Sequence, residues 1–257
     1  MKNASKQTTF SIDINCDLGE GSSLNDCEKD ALLMPFISSC NIACGGHAGN
    51  EVVIRKSLLN AKKHQLKIGA HPGYADQHNF GRVSLELTQS VLIDDIKRQL
   101  MLFEQIADSL GIEIHHIKFH GALYNDLEQS YELRKVVVGL LKKNYADLKV
   151  IALAGGEFLR ACHDSGLTYI AEAFMDRRYL NNGQLMPRTE QSAVIGSIEH
   201  CLLQAENIVK KGQVLAQDNR WIKLQAETLC LHGDNDHAYD VAKRLHQQFK
   251  QSGILIQ

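Results

Sequence analysis

Four apolar runs in this chain lead into a histidine. KIGAHPG (67–73) reaches His71, KFHGAL (118–123) reaches His120 and LCLHGD (229–234) reaches His232; in NIACGGH (41–47), His47 stands just past the apolar part. An imidazole changes protonation near neutrality, so each is a candidate general base, polarising acid or metal ligand. Other reactive types recur in similar places. DINCDLGEG (13–21) sets Asn15 and Asp17 two residues apart, on one side of an extended strand, with Glu20 and Gly21 just beyond. KFHGALYN (118–125) adds Lys118 and Asn125, and EAFMDRRYLNNGQLMPR (172–188) adds Glu172, Asp176, Arg177 and Arg188, with Gly183 as a turn. Those arginines suit a fork onto a carboxylate or phosphate, or the segment suits a lid over a pocket. Gly45 and Gly46, ahead of a helix that begins near Glu51, offer backbone N–H groups to an anion, although a P-loop lysine is missing. In LHGDND (231–236), Asp234 or Asp236 is placed to orient His232, or Asp236 to cap the last helix.

Each motif also has a plainer reading: an Asx turn closed by Gly19, a tight turn at 41–50, a solvated loop at 172–188. His64, His78, His115, His116, His163, His200 and His246 read as ordinary residues on helix faces or loops.

What must position the reactive groups is a run of strands. Periodicity marks seven: 10–15, 39–44, 66–70, 114–119, 149–154, 168–173 and 228–231. Between them lie helical patterns. Leu92, Ile96, Leu100, Phe103, Ala107 and Leu110 share a face within 88–110, stopped by Gly111; Ile198, Cys201, Leu202, Ala205, Ile208 and Val209 do so in 197–211, stopped by Gly212. Ala238, Val241, Ala242, Leu245 and Phe249 repeat the pattern in 236–249. Such alternation implies a parallel sheet with right-handed crossovers, either a closed barrel or an open doubly wound sheet. Asp17, His47, His71, His120, the Gly155-Gly156-Glu157 step, Glu172, Asp176 and His232 all follow strand ends. Only a barrel brings every such end to one rim. The expectation is one domain over 1–257, an irregular TIM-like (β/α) barrel of about seven parallel strands.

Composition narrows the partners. The chain has 257 residues, 44% hydrophobic, and a net charge of -2; with pI near 6.6 and no basic patch, nucleic acid is not expected. No window approaches the roughly 18 unbroken apolar residues of a membrane span, and MKNASKQTTF lacks the apolar region of a signal peptide. The seven cysteines form no CxxC pair, which fits a reducing cytoplasm.

Taken together in this order and spacing, DINCDLGEG, NIACGGHAGN, KIGAHPGY, KFHGALYN, EAFMDRRY with downstream Arg188, and LHGD resemble the LamB/YcsF family over nearly the whole length. The resemblance implies a barrel similar to the glycoside hydrolase/deacetylase-like group. It implies ring opening of 5-oxo-L-proline (pyroglutamate) to L-glutamate coupled to hydrolysis of ATP, with Mg²⁺, by one component of a 5-oxoprolinase that works with partner subunits B and C. It assigns Asp17, His47, His71, His120, His232, Glu172, Asp176, Arg177 and Arg188 to the rim. The chain departs from the family pattern at Phe119 and Ala75, where proline is usual, at Met175 in place of a small residue, and in GRVSLEL (81–87), which lacks a second arginine after Arg82.

A lactam is a poor electrophile, and phosphorylating its carbonyl oxygen lets water open the ring. That chemistry needs a base, cations and a phosphate cradle. Asp17, His71, His120 or His232 fits the base. Lys118 and Arg188 fit phosphate or the substrate carboxylate, and Gly45 and Gly46 the cradle, while Asn15, His47, Asn125, Glu172, Asp176 and Arg177 complete the binding set. Three rivals remain: a metal-dependent deacetylase or amidohydrolase of a small or carbohydrate substrate, with Asp17, His47 and His71 as ligands; a non-catalytic substrate-binding subunit; and a cysteine hydrolase using Cys44 with His47. A homo-oligomer is compatible with all of them.

Overall fold

The structure is a computed structural model that describes residues 10–233 and 238–257; Asp234 and Asp236 lie outside the described residues. The chain runs β1 (Phe10–Leu18), α1 (Leu24–Ala31), β2 (Ser39–Ala43), α2 (Glu51–Lys63), β3 (Lys67–His71), α3 (Gln89–Ser109), β4 (His116–Lys118), α4 (Gly121–Gln129) and α5 (Tyr131–Asn144). It continues through β5 (Lys149–Leu153), α6 (Glu157–Asp164), β6 (Tyr169–Phe174), α7 (Ile198–Lys211), β7 (Gln213–Leu215), β8 (Trp221–Lys223), β9 (Thr228–His232), α8 (Ala238–Gln251) and β10 (Ile254–Ile256).

Strands β1 to β6 and β9 pair in parallel, and β9 returns to β1, so the sheet closes into a seven-stranded barrel ringed by helices. All seven anticipated strands are present. Two elements outside that expectation are the β7–β8 hairpin and β10, which lies parallel to the first residues of β1. β10 has only three residues, too few to show a period.

Helix boundaries follow local chemistry. Asn50 caps α2 by accepting from the Val53 N–H at 3.1 Å, and Gly212, at φ 59°, closes α7 in the left-handed region. The apolar faces of α3, α7 and α8 pack on the barrel as their spacing predicts; Ala238, Val241, Ala242, Leu245 and Phe249 are all buried. Each large aliphatic or aromatic side chain buried there contributes about 1.5–3 kcal/mol.

The two-residue period of the strands sorts side chains between the helix layer and the barrel interior. Ile14, Cys16, Ile42, Ile68, Ile117, Val150, Leu229 and Leu231 join the apolar core. Inside the barrel much of the lining is polar, with Leu153 and Phe174 among its apolar members. Asp13, Asn15 and Asp17 on β1 lie beside Ser39 and Asn41 on β2, and Thr228, Cys230 and His232 on β9. Barrel interiors are usually filled by branched apolar layers; here a hydrogen-bond network fills the space. Gly69 makes room for it, because a Cβ there would collide with the His116 ring.

Candidate active site

The network is centred on Lys118, which β4 carries into the barrel interior. Its ammonium is buried, 2.9 Å from Asp17 Oδ1, 2.8 Å from Glu172 Oε1, 3.2 Å from Asn15 Oδ1 and 3.1 Å from Cys230 Sγ. Burial alone would lower its pKa, but Asp17, with the Cys230 sulfur and Glu172 beside it, outweighs burial and holds it well above the usual lysine value. Asn41 donates to Asn15 Oδ1 (2.8 Å) and Asp17 Oδ1 (2.7 Å), so its own Oδ1 accepts from His116 Nε2 at 2.7 Å. His116 is thus a buried strand residue, not one on a helix face or loop as expected, and burial holds its pKa well down, leaving it neutral.

At the carboxyl ends of β2, β3 and β4 three imidazoles gather on Glu20. Glu20 Oε1 lies 3.2 Å from His47 Nε2, 3.0 Å from His120 Nδ1 and 3.8 Å from His71 Nε2. The His47 and His120 rings stack at 3.6 Å, and His71 Nε2 is 3.0 Å from His120 Nδ1 and 3.5 Å from Asp17 Oδ2. The far nitrogens rest on backbone carbonyls, His71 Nδ1 on Lys118 O at 2.8 Å and His120 Nε2 on Phe80 O at 2.9 Å. Burial pushes His47 down to about 4 despite the Glu20 hydrogen bond, and also lowers His120. For His71 the Asp17 charge and hydrogen bond outweigh burial and raise the pKa. Burial raises Asp17 and Glu20, but the facing imidazoles, with Lys118 for Asp17, bring both well below the usual carboxylate range.

On the opposite wall His232 Nδ1 bonds Asp176 Oδ2 at 2.8 Å, and its ring stacks on Phe174. Asp176 stays ionised: burial raises its pKa, while the His232 charge and hydrogen bond, Arg188 and Arg177 lower it further. Burial and neighbouring Arg188 push Arg177 down to about 10. With Nδ1 fixed by Asp176, His232 Nε2 is left for chemistry, the arrangement of an oriented general base.

Between these walls opens a cavity of about 680 Å³, lined by Asp17, Glu20, His71, Lys118, His120 and His232 on one side and by Arg82, Tyr124, Arg177 and Arg188 on another. The 172–188 segment forms part of its wall through 184–188, with Gly183 turning at φ 84°. Tyr124 Oη and Arg177 Nε, on residues that line the cavity, are buried with no hydrogen-bond partner among the described residues, and such groups are what a bound molecule satisfies.

The structure brings most of the anticipated residues together. Asn15 and Glu172 lie beneath the cavity as supports for Lys118, while Asn125 lines it and donates to Gly121 O at 3.1 Å. Gly45 and Gly46 do not line it. The Gly45 N–H donates to Ala48 O, and Gly46 packs so tightly on Gln99 that no Cβ would fit. The Gly155-Gly156-Glu157 step also stays outside, where Gly156 caps α6. Arg82 and Tyr124 enter the site without having been assigned to it, and Glu20, noted in the first strand-end motif but given no role, joins them. Glu20 was visible two residues beyond the strand's end, but loop geometry decides where it points. Cys44 donates to Ile42 O, and burial pushes its thiol far up, so it is no nucleophile. All seven cysteines are free and buried. No described helix is long and apolar enough to cross a membrane.

Comparisons with known proteins agree with this fold. The model of the LamB/YcsF family matches residues 12–257. The chain is 37% identical over 245 residues to the A subunit of 5-oxoprolinase from Histophilus somni (strain 129Pt), covering 95% of this chain and 97% of that one. It superposes on the crystal structure of a lactam utilization protein from Thermus thermophilus with a TM-score of 0.89 at 31% identity, covering 96% and 99% of the two chains. A family 4 carbohydrate esterase from Streptomyces lividans shares the fold alone, with a TM-score of 0.50 at 12% identity over 96% of this chain and 91% of that one.

Proposed function

The chain belongs to the LamB/YcsF family, and from that premise we propose that it is the A subunit of an ATP-dependent 5-oxoprolinase. In this reading it opens 5-oxo-L-proline to L-glutamate in the cytoplasm, together with subunits B and C. The observation that carries the reading is the His232–Asp176 pair facing a cavity that also holds Lys118, Arg177 and Arg188. That is a base beside cations, the combination an activated lactam needs.

The chemistry proceeds in two stages. Bound ATP with Mg²⁺ would supply the phosphoryl group to the lactam carbonyl oxygen, leaving ADP, with Arg177 and Arg188 at the cavity to meet its charge. Water then adds to the carbonyl carbon as His232 Nε2 takes its proton, and Asp176 stabilises the imidazolium that forms. The C–N bond breaks with its electron pair going to nitrogen, which takes a proton, and a second water releases phosphate. Arg188 and Arg177 are placed to hold the substrate carboxylate or the phosphoryl group. Lys118 fixes Asp17 and Glu172 at the floor of the cavity. Gly45 and Gly46 have no part in this version, because their turn lies away from the cavity.

The test is glutamate release from 5-oxoproline and ATP by the chain alone, by the chain with its B and C partners, and by that mixture carrying His232→Ala. ATP-dependent glutamate from the full mixture, reduced about 10²–10⁴-fold by the substitution, is the expected result. A folded, reconstituted complex that releases none overturns the proposal.

A further inference from the structure

We propose that Glu20, His71 and His120, with His47 on the fourth side, bind one divalent transition-metal ion of the zinc or cobalt type. The inference comes from where the protons must be. A neutral imidazole has one donor and one acceptor nitrogen. His71 Nδ1 lies 2.8 Å from the Lys118 carbonyl oxygen, and His120 Nε2 lies 2.9 Å from the Phe80 carbonyl oxygen. A carbonyl oxygen only accepts, so both of those nitrogens carry hydrogen. With both rings neutral, His71 Nε2 and His120 Nδ1 are therefore lone pairs.

These two lone pairs lie 3.0 Å apart and face the same carboxylate oxygen, Glu20 Oε1, at 3.8 and 3.0 Å. Asp17 Oδ2 is 3.5 Å from His71 Nε2. Acceptors thus converge, and His47 Nε2, 3.2 Å from Glu20 Oε1, is the one ring nitrogen of the group left to donate to that carboxylate. One added proton would serve one contact and leave another opposed; two would set two imidazolium rings against each other at 3.0 Å. A cation at the centre satisfies the converging lone pairs at once.

The dimensions and the second layer both fit. The ligand atoms of Glu20, His47, His71 and His120 all lie within 4.8 Å of one another, and His47 Nε2 is 3.2 Å from Glu20 Oε1. A tetrahedral ion with bonds of about 2.0–2.1 Å needs ligand atoms about 3.3 Å apart. Backbone carbonyls bonded to the far ring nitrogens are also what orients metal-bound histidines. Imidazole-rich donors favour zinc, cobalt or a similar ion over magnesium. Asp17, Cys230 and His232 form a second metal-like group, but Lys118 already places its ammonium 2.9 Å from Asp17 and 3.1 Å from Cys230. That position has its cation; among the described residues the Glu20 position has none. The centre is accordingly Glu20 with His71 and His120, rather than the Asp17, His47 and His71 set the sequence suggests.

The test uses the full chain without substrate, so it is independent of the reaction proposed above. A chain that binds metal but opens no lactam overturns only that reaction, and the converse overturns only this site. The chain is stripped with a chelator and titrated with Co²⁺, reading visible absorption and metal content. About one equivalent per chain is expected, with the intense visible bands of a four-coordinate site. Glu20→Gln and His120→Asn, both close in shape to the native residues, should each weaken binding at least tenfold, while exposed His163→Ala leaves it unchanged. X-ray absorption on the loaded wild-type chain should show two or three imidazole ligands, whether or not the variants fold. No uptake by the folded chain, undiminished uptake by folded variants, or a metal without imidazole ligands overturns the proposal.

Discussion

Replacing Lys118 with methionine removes the ammonium but keeps most of the stem that fills the barrel. It leaves Asp17 and Glu172, whose oxygens stand 2.9 and 2.8 Å from that ammonium, without their cation. Both carboxylates are buried, with Glu172 fully enclosed. Breaking a buried ion pair from one side costs about 3–5 kcal/mol, because the remaining charge has neither water nor partner. Asp17 keeps Asn41 and Glu172 keeps Asn15 as donors, which favours the lower part of that range. At about 2–4 °C per kcal/mol for a chain of this size, melting should fall by roughly 6–20 °C. Guanidinium unfolding of wild type and Lys118→Met gives the loss directly. The double variant Lys118→Met/Glu172→Gln removes one stranded charge and should recover about 1 kcal/mol or more of it. If Lys118→Met costs less than about 1 kcal/mol, or the double variant is no better than the single, the interior is not organised around this ammonium.

Three further outcomes are expected. Burial, with Glu20 and Asp26 nearby, raises Asp30 from 3.8 to about 6 although it accepts the Gly19 N–H. Between those values the folded state binds the extra proton, so stability falls as pH rises and the penalty is complete above about pH 6; Asp30→Asn should gain up to about 3 kcal/mol over wild type at pH 7 and nothing at about pH 3.5, by denaturation at each pH. Asp176→Asn should lower turnover in the reconstituted complex toward that of His232→Ala, and the double variant should be no worse than the worse single, because the two side chains act as one unit; fully multiplicative losses would separate them. Tyr179→Phe leaves the Phe174 N–H, now bonded to the Tyr179 oxygen at 2.8 Å in a buried setting, without an acceptor, and should cost about 1–3 kcal/mol in the same unfolding assay.

Much of this protein is legible in its residues taken in order. A strand period of two and a helix period near 3.6 are local properties, so FSIDIN, KVIALA and the α8 stripe ending at Phe249 declare their elements without help from the rest of the chain. Reactive residues at successive strand ends also imply a closed barrel, since closure is what brings Asp17, His71, His120 and His232 to one cavity. Distances between those residues are another matter. Lys118 meets Asp17 across 101 positions and Asn15 meets Glu172 across 157, and such contacts depend on barrel closure and register, which no local pattern encodes. The same holds for loops. Glu20 swings onto three imidazoles, while the glycine turn at 45–46, equally suggestive as a string of letters, packs against Gln99 and does not line the site cavity. The sequence determined which groups the barrel presents and near which end. Tertiary structure alone decided which of them touch, because the path of a loop after a strand is set by what it packs against rather than by its own residues.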